Sequence, residues 1–447
     1  MRLLLIEPSN RRASVIDRLP VAPLSLGVIA ALTPPDWEVS IVQEPYDRLD
    51  LESDFDLVGI TAGTTNVRRG YQIADEFRKR GKRVIMGGIH ASVLPSEALG
   101  HCDSVCIGEA ESIWRCILDD FRAGRLRKIY RQEQPTDLDS YTPPRRDLLP
   151  VRKPFLLDIG TIETSRGCPY ACEFCSASTI YGRRVRERPM KSLLPEIERM
   201  QNRSLFFVDN NIFTSVDRTK KLFREIAPLK KRWAAQASLS FAADRELVEL
   251  AARSGCFGLF IGLESVAAEG HNSYRKNAGS LEEMKERLRV LREQGIGVHA
   301  SLIFGHDFET QDIIRRSLDT LLSLDVVSAT FGILTPLPGT LIAAKLEAQG
   351  RVFSKNWDCY DLNHLVFVPK NISCDQFLEE MRAMRRAFFS VKATVRRIFR
   401  SGTAFPLALA YNMAVRGHHR IGKAPFLADA IPNESPRLDD RPAPVRA

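Results

Sequence analysis

The chain has 447 residues, 44% hydrophobic, 8% aromatic and 27% charged, a mixture that excludes wholesale disorder, low complexity and a small disulfide scaffold. Its 64 Lys and Arg exceed 55 Asp and Glu by nine, yet nine bases (Arg382, Arg385, Arg386, Lys392, Arg396, Arg397, Arg400, Arg416 and Arg420) fall in 381–420, where no acid occurs. Taking those nine from 64 leaves 55 against 55, so the surplus belongs to one segment and nucleic-acid binding by the whole chain is unsupported.

Met1-Arg2 runs directly into the strand-like Leu3-Leu4-Leu5-Ile6 without the longer apolar stretch of a secretory signal. The nearest approach to a membrane span, Thr403 to Val415, is short and interrupted by Pro406. A cytoplasmic protein is expected, with nine cysteines whose spacing matters more than their pairing.

In chain order, strands are predicted at Leu3–Ile6, Val39–Val42, Leu57–Thr61, Val84–Met86 and Ser104–Ile107, with helices at Leu24–Leu32, Val67–Arg80 and Glu111–Phe121. This alternation predicts a doubly wound parallel α/β sheet of about five strands over 1–130, with ligands beyond the carboxyl ends of its strands. Prolines 135, 143, 144, 150 and 154 mark 131–157 as a linker. A second series follows, with strands at Ile159–Thr164, Leu205–Val208, Trp233–Ser238, Phe257–Ile261, Gly297–Phe304 and Ser328–Leu334. Helices are predicted between them, so 158–350 is expected to form a partial (β/α)6 TIM-like barrel. The remainder, 351–447, is expected to be a helical basic extension. Met381, Met384, Phe388, Val391, Val395 and Ile398 form one apolar stripe in it at spacings of three and four.

The strongest motif is Cys168-Pro-Tyr-Ala-Cys172-Glu-Phe-Cys175, just after the first strand of the second series. Three thiolates on one loop can hold three irons of a cubane cluster and leave the fourth open for chemistry. A structural zinc site is the competing reading, but no His or Cys follows closely to close it. Cys102, Cys106 and Cys116 read as buried structural thiols.

The Cys-x3-Cys-x2-Cys loop at the start of a βα series resembles the radical S-adenosylmethionine (SAM) superfamily. The resemblance implies a 4Fe-4S cluster on Cys168, Cys172 and Cys175, with SAM chelated to the open iron and cleaved to a 5'-deoxyadenosyl radical. It further implies SAM contacts from Phe174 beside adenine, Asp209 and Asn210 after the second strand, Gln236 and Ser238 on the third, Glu264 closing the fourth, and Ile303 and Gly305 on the fifth. Phe206-Phe207-Val208-Asp209-Asn210 departs from the Gly-Gly-Glu form common in that family.

An open α/β domain directly before this core resembles the cobalamin-binding domain of cobalamin-dependent radical SAM enzymes. The resemblance is carried by Gly59-Ile-Thr61-Ala-Gly63, Met86-Gly87-Gly88-Ile-His90, Pro95-Ser-Glu-Ala-Leu99 and Gly108-Glu109-Ala-Glu111. It implies cobalamin contacts from Thr61, Gly63, Gly87, Gly88, His90, Gly108 and Glu109. An Asp-x-His-x-x-Gly motif is absent, so no His of that motif is expected on cobalt, and His90 is expected to be a loop residue touching the nucleotide tail or a phosphate.

The architecture implies a methyltransferase acting on an unactivated carbon. The alternatives are a cyclase or ring-forming enzyme on a tetrapyrrole or lipid, a methylthiotransferase, and a non-enzymatic cluster or cobalamin sensor. The implied partners are a small-molecule substrate (lipid, isoprenoid or tetrapyrrole) and a one-electron donor such as flavodoxin or ferredoxin. Packing on the core is expected for the 381–400 stripe, with peripheral membrane contact through 381–420 as the second reading. Trp357, Tyr360, Asn363 and His364 either border the substrate cavity or simply pack.

Overall fold

The computed structural model describes residues 1–9, 22–149, 159–170, 172–213, 215–265, 280–401, 409 and 412–413. The first unit comprises β1 (Arg2–Glu7), α1 (Leu24–Leu32), β2 (Glu38–Gln43), β3 (Leu57–Thr61), α2 (Val67–Lys79) and β4 (Arg83–Gly87), then α3 (Ile89–Val93), α4 (Pro95–Ala98), β5 (Ser104–Ile107), α5 (Trp114–Arg122) and β6 (Ile129–Arg131). Its strands pair in parallel in the order β2-β1-β3-β4-β5-β6. The sheet thus has six strands rather than about five: β6 is a three-residue edge of which only Tyr130 is buried, too short to show a period.

Side chains alternate across this sheet, as strand geometry requires. Leu4, Ile6, Val58 and Ile60 pack with Tyr71, Ile73 and Phe77 on one face, while Leu3, Leu5, Leu57 and Ile85 pack with Leu26, Trp114 and Ile117 on the other. Because β1 lies between β2 and β3, the winding reverses there and opens a crevice at the strands' carboxyl ends.

The predicted linker is a strap that touches both units. Arg145 N–H donates to Gly27 O at 2.9 Å, and Arg146 bonds Thr161 O at 2.8 Å and Glu196 at 2.5 Å. Tyr141 lies under the buried Arg188 guanidinium, 3.7 Å from ring centre to Cζ, a cation–π contact strengthened by burial.

The second unit comprises β7 (Ile159–Ile162), β8 (Ser165–Arg166), α6 (Ala177–Tyr181), β9 (Arg186–Glu187), α7 (Met190–Arg199), β10 (Ser204–Phe207), α8 (Val216–Ile226) and β11 (Arg232–Ala237). It continues through α9 (Arg245–Arg253), β12 (Cys256–Glu264), α10 (Leu281–Glu293), β13 (Gly297–Phe304), α11 (Gln311–Ser323) and β14 (Ser328–Ile333). Six strands pair in parallel in the order β7-β10-β11-β12-β13-β14, and β7 does not pair with β14, so the barrel is partial. Phe207, Trp233, Leu259, Ala300, Leu302 and Phe331 belong to the core under the helices. The alternate positions, including Phe206, Gln236, Phe260, Ser301 and Ile303, line the concave face and are not fully buried.

After α12 (Leu341–Ala348), the chain first returns to the N-terminal unit: Trp357, Cys359, Tyr360 and Val366 join the α2-side core, and Trp357 Nε1 donates to Glu97 at 2.9 Å. These residues are buried in that core. His364 bonds Asp361 at 2.9 Å, and Asn363 accepts from Arg385 at 3.2 Å. Helices resume only at α13 (Cys374–Phe388) and α14 (Val391–Ser401). The break at 389–390 rotates the predicted stripe: Met381, Met384, Phe388 and Ile398 are buried, whereas Val391 and Val395 are exposed. Nor is the basic face wholly solvated. Arg385 donates to Phe331 O at 2.5 Å, and Arg397 donates to Phe388 O at 2.5 Å, each guanidinium finding buried carbonyls. Burial pushes both guanidinium groups down to about 10.

Among the described residues no helix is long and apolar enough to cross a membrane. Apart from 409, 412 and 413, the segment Thr403–Val415 lies outside the described residues. Cys102 and Cys106 are buried as predicted, but Cys116 is exposed, on the solvent side of α5.

Candidate functional site

The cysteine loop leaves the barrel at the carboxyl end of β7. Between Arg166 and Cys168, Gly167 has φ +92°, and a Cβ there would stand 2.4 Å from Arg184 O, so only glycine lets β8 pass this close to the next turn. Cys168 N–H donates to Gly182 O at 3.4 Å, Cys175 N–H to Cys172 O at 3.1 Å, and Ile342 N–H to Glu173 O at 3.1 Å. Tyr170 Oη is within 3.3 Å of Ser238 Oγ and 3.2 Å of Ser240 Oγ, tying the loop to the end of β11. All three thiols are half-buried and none is in a disulfide. Among the described residues no group of three or more His, Cys, Asp or Glu stands in metal-holding geometry. Three thiols on one short loop are the donor set that three irons of a cluster take.

The other SAM candidates divide. Asn210 lines a cavity described below, Gln236 is exposed on the concave face, and Phe174 packs against the barrel core. Ser238 is buried and bonds Ser240 Oγ at 2.8 Å. Glu264 is buried at the end of β12 with φ +60°. Ile303 is half-buried, and Gly305 N–H donates to Glu309 Oε2 at 2.6 Å. Asp209 does not face an opening. Its buried carboxylate accepts from Thr164 N (3.2 and 3.1 Å), Thr164 Oγ1 (2.7 Å) and Ser165 Oγ (2.6 Å). Desolvation pushes this carboxyl above its usual range despite those bonds. Asp209 braces the entry to the cysteine loop instead of offering itself to an ammonium group.

On the opposite side, the carboxyl ends of β1, β3, β4 and β5 open onto a cavity of about 460 Å³. Thr61, Gly63, Gly87, Gly88, Gly108 and Glu109 line it from the N-terminal unit, while Glu163, Ser165, Arg166, Val208 and Asn210 line it from the barrel. His90 does not. It is buried between Tyr71 and Trp357, with Nδ1 3.3 Å from Thr64 Oγ1 and Nε2 3.2 Å from Glu97, and burial pushes its pKa down. The reason is its place on the inner side of α3, which turns it toward the α2 core rather than toward the crevice.

Sequence reasoning named Glu109 but missed the ion pairs on this cavity. Arg166 pairs with Glu111 at 2.6 Å, Glu163 at 3.0 Å and Glu109 at 3.3 Å, and Arg186 also pairs with Glu109. Desolvation dominates at Glu163 and pushes it up to about 7, whereas the two guanidinium groups and Thr136 outweigh desolvation at Glu109 and bring it down to about 2. Adjacency to Cys168 and to Gly108 was the available signal, but charges distant in sequence do not disclose that they meet.

The Radical SAM superfamily model matches residues 162–321, and the B12 binding domain model matches residues 24–117. The bacteriochlorophyllide d C-12(1)-methyltransferase of Chlorobaculum tepidum is 30% identical over 407 residues, 88% of this chain and 89% of that protein. The anaerobic magnesium-protoporphyrin IX monomethyl ester cyclase of Cereibacter sphaeroides is 24% identical over 389 residues, 78% of this chain and 62% of that protein. The solved radical SAM methyltransferase TsrM from Kitasatospora setae, with cobalamin and a [4Fe-4S] cluster bound, superposes with a TM-score of 0.70 at 19% identity, covering 94% of this chain and 99% of that one, a likeness of fold. With two cofactor domains in this order, facing one cavity, the chain belongs to the cobalamin-dependent radical SAM enzymes, whose cofactors are a 4Fe-4S cluster, SAM and cobalamin.

Proposed function

We propose that the protein methylates an unactivated carbon of a tetrapyrrole. The observation that carries the proposal is the shared cavity: the glycine-rich strand ends of the N-terminal unit and the strand ends flanking the cysteine loop open onto one space. When bound, the cluster with SAM supplies a hydrogen-abstracting radical, and cobalamin supplies a transferable methyl group.

The chain's own residues then have distinct tasks. Cys168, Cys172 and Cys175 hold three irons, and Asp209 and Gly167 set the path of their loop. Asn210, Gln236, Ser238, Glu264, Ile303, Gly305 and Phe174 are offered to SAM. Thr61, Gly63, Gly87, Gly88, Gly108 and Glu109 are offered to cobalamin; His90, which is turned away from the cavity these residues line, is left out. The concave face, with Phe206, Phe260 and Ile303 half-buried, presents apolar surface suited to a flat macrocycle. The tetrapyrrole reading is further supported by both named relatives, whose names specify tetrapyrrole substrates.

The cyclase relative favours a second reading, oxidative ring closure on the same substrate class. Anaerobic reconstitution followed by turnover with methyl-labelled SAM, a reductant and a chlorophyllide-type substrate tests both. A labelled product heavier by one methylene unit together with 5'-deoxyadenosine is expected, whereas an unlabelled ring-closed product favours the cyclase. Failure to cleave SAM would favour a sensor, and a C168A/C172A/C175A variant that still assembles a cluster and cleaves SAM would remove the central assignment. A flavodoxin or ferredoxin is the proposed electron source. The exposed α14 face is the proposed contact with an anionic membrane.

A further inference from the structure

The cysteine loop and the N-terminal unit are joined by a buried ionic cluster whose centre is Arg166. Its side chain is 8% exposed, and it stands on β8 two residues before Cys168. Nη1 reaches Glu111 at 2.6 Å and Glu109 at 3.3 Å, both on the loop that follows β5, while Nε reaches Glu163 at 3.0 Å at the end of β7. Arg186 on β9 fastens Glu109 from a second side and donates to Thr136 O of the strap at 2.7 Å. The loop after β5 contains Gly108 and Glu109, two of the residues offered to cobalamin.

A guanidinium is a rigid planar fork, and pairing it with carboxylates from two units specifies their mutual placement more closely than a flexible ammonium could. Burial shields the cluster from salt, so the link is not a weak surface pair. At Gly167, immediately after Arg166, a Cβ would stand 2.4 Å from the Arg184 carbonyl, so the chain can run this close to that turn only with glycine there. The Glu109–Glu111 loop is thus held by a guanidinium that stands two residues before Cys168.

On the cobalamin reading above, we propose that Arg166 is a positioning residue that couples cobalamin binding to assembly of the cysteine loop. The coupling is reciprocal: whatever factor a bound cluster adds to cobalamin affinity, bound cobalamin adds to the affinity of the loop for its cluster.

The test compares the Kd of aquacobalamin, by anaerobic fluorescence quenching, for the full chain before and after cluster reconstitution. Wild-type protein is expected to bind about fivefold or more tightly when the cluster is present. R166Q is expected to bring that ratio close to one, R166K to leave it intermediate, and E111Q to lower it from the opposite side. Folding of each variant is checked by circular dichroism, and if R166Q does not fold, E111Q and R166K carry the comparison. Equal cobalamin affinity with and without the cluster in wild type, or an undiminished ratio in the folded variants, overturns the coupling and leaves the functional assignment standing. Absence of any cobalamin binding by wild type overturns both.

Discussion

Asp209 closes the β10 end of the barrel by accepting the Ser165 hydroxyl at 2.6 Å, three residues before Cys168. The same carboxylate takes Thr164 N and Oγ1, while Arg218 holds Thr164 O at 2.9 Å. The Thr164 and Ser165 hydroxyls and the Thr164 peptide are therefore all engaged where the chain enters the cluster loop.

Asp209→Ala leaves three donors buried without their acceptor. A loss of about 2–3 kcal/mol in unfolding free energy is expected, read from urea denaturation, with a fall in iron bound after reconstitution. Unchanged stability together with full iron content would show that the brace is dispensable.

Glu309 provides a pH signature. It is 2% exposed, and both Gly305 N–H (2.6 Å) and His306 N–H (3.2 Å) donate to its Oε2, so the other oxygen can carry a proton. Desolvation pushes this carboxyl from 4.5 up to about 8. The folded state therefore retains a proton that the unfolded state has lost between about pH 4.5 and 8, and stability from this group falls as pH rises through that window. E309Q, which keeps a carbonyl acceptor for both amides, is expected to flatten that dependence in urea midpoints measured from pH 5 to 8.

Gly88 stands at φ +93°, and a Cβ there would lie 2.5 Å from Ala62 O and 2.8 Å from Ala62 N. Gly88→Ala forces the β4 turn away from β3, at a cost of about 1–3 kcal/mol. Weakened cobalamin binding with a lowered Tm is expected. Unimpaired binding would place the cofactor elsewhere than this crevice.

On α14, Val391, Val395 and Phe399 are 56%, 37% and 71% exposed, at successive spacings of four, with Lys392 and Arg396 exposed beside them. Co-sedimentation with phosphatidylglycerol vesicles is expected, weaker at high salt and on neutral vesicles. Phe399→Ser should reduce partitioning by roughly ten- to thirtyfold, the equivalent of about 1.4–2 kcal/mol of lost apolar burial. Equal recovery on neutral and anionic lipid would dismiss electrostatic attachment.

The α/β order, the strap between two units and the three cysteines were legible because each is local. Strands show their period within five or six residues, and Cys-x3-Cys-x2-Cys is complete in eight. The corrections have the opposite character. Nothing beside Asp209 in the chain says that Thr164 and Ser165 will consume its oxygens, nor does anything near His90 announce Glu97 and Trp357. The α13–α14 stripe failed at one point, because a two-residue break rotates a helical face that an unbroken count of threes and fours treats as continuous.

What the sequence by itself determined was the chemistry available: thiols on one loop, glycines at strand ends, and a basic surplus confined to the C-terminal segment. What the tertiary structure decided was which groups meet. Arg166 lies 55 positions after Glu111, yet the two are 2.6 Å apart, because parallel sheets bring their carboxyl ends to one edge and the edges of the two units line the same cavity. Burial then sets the strength of that pairing, and burial is a property of the whole fold.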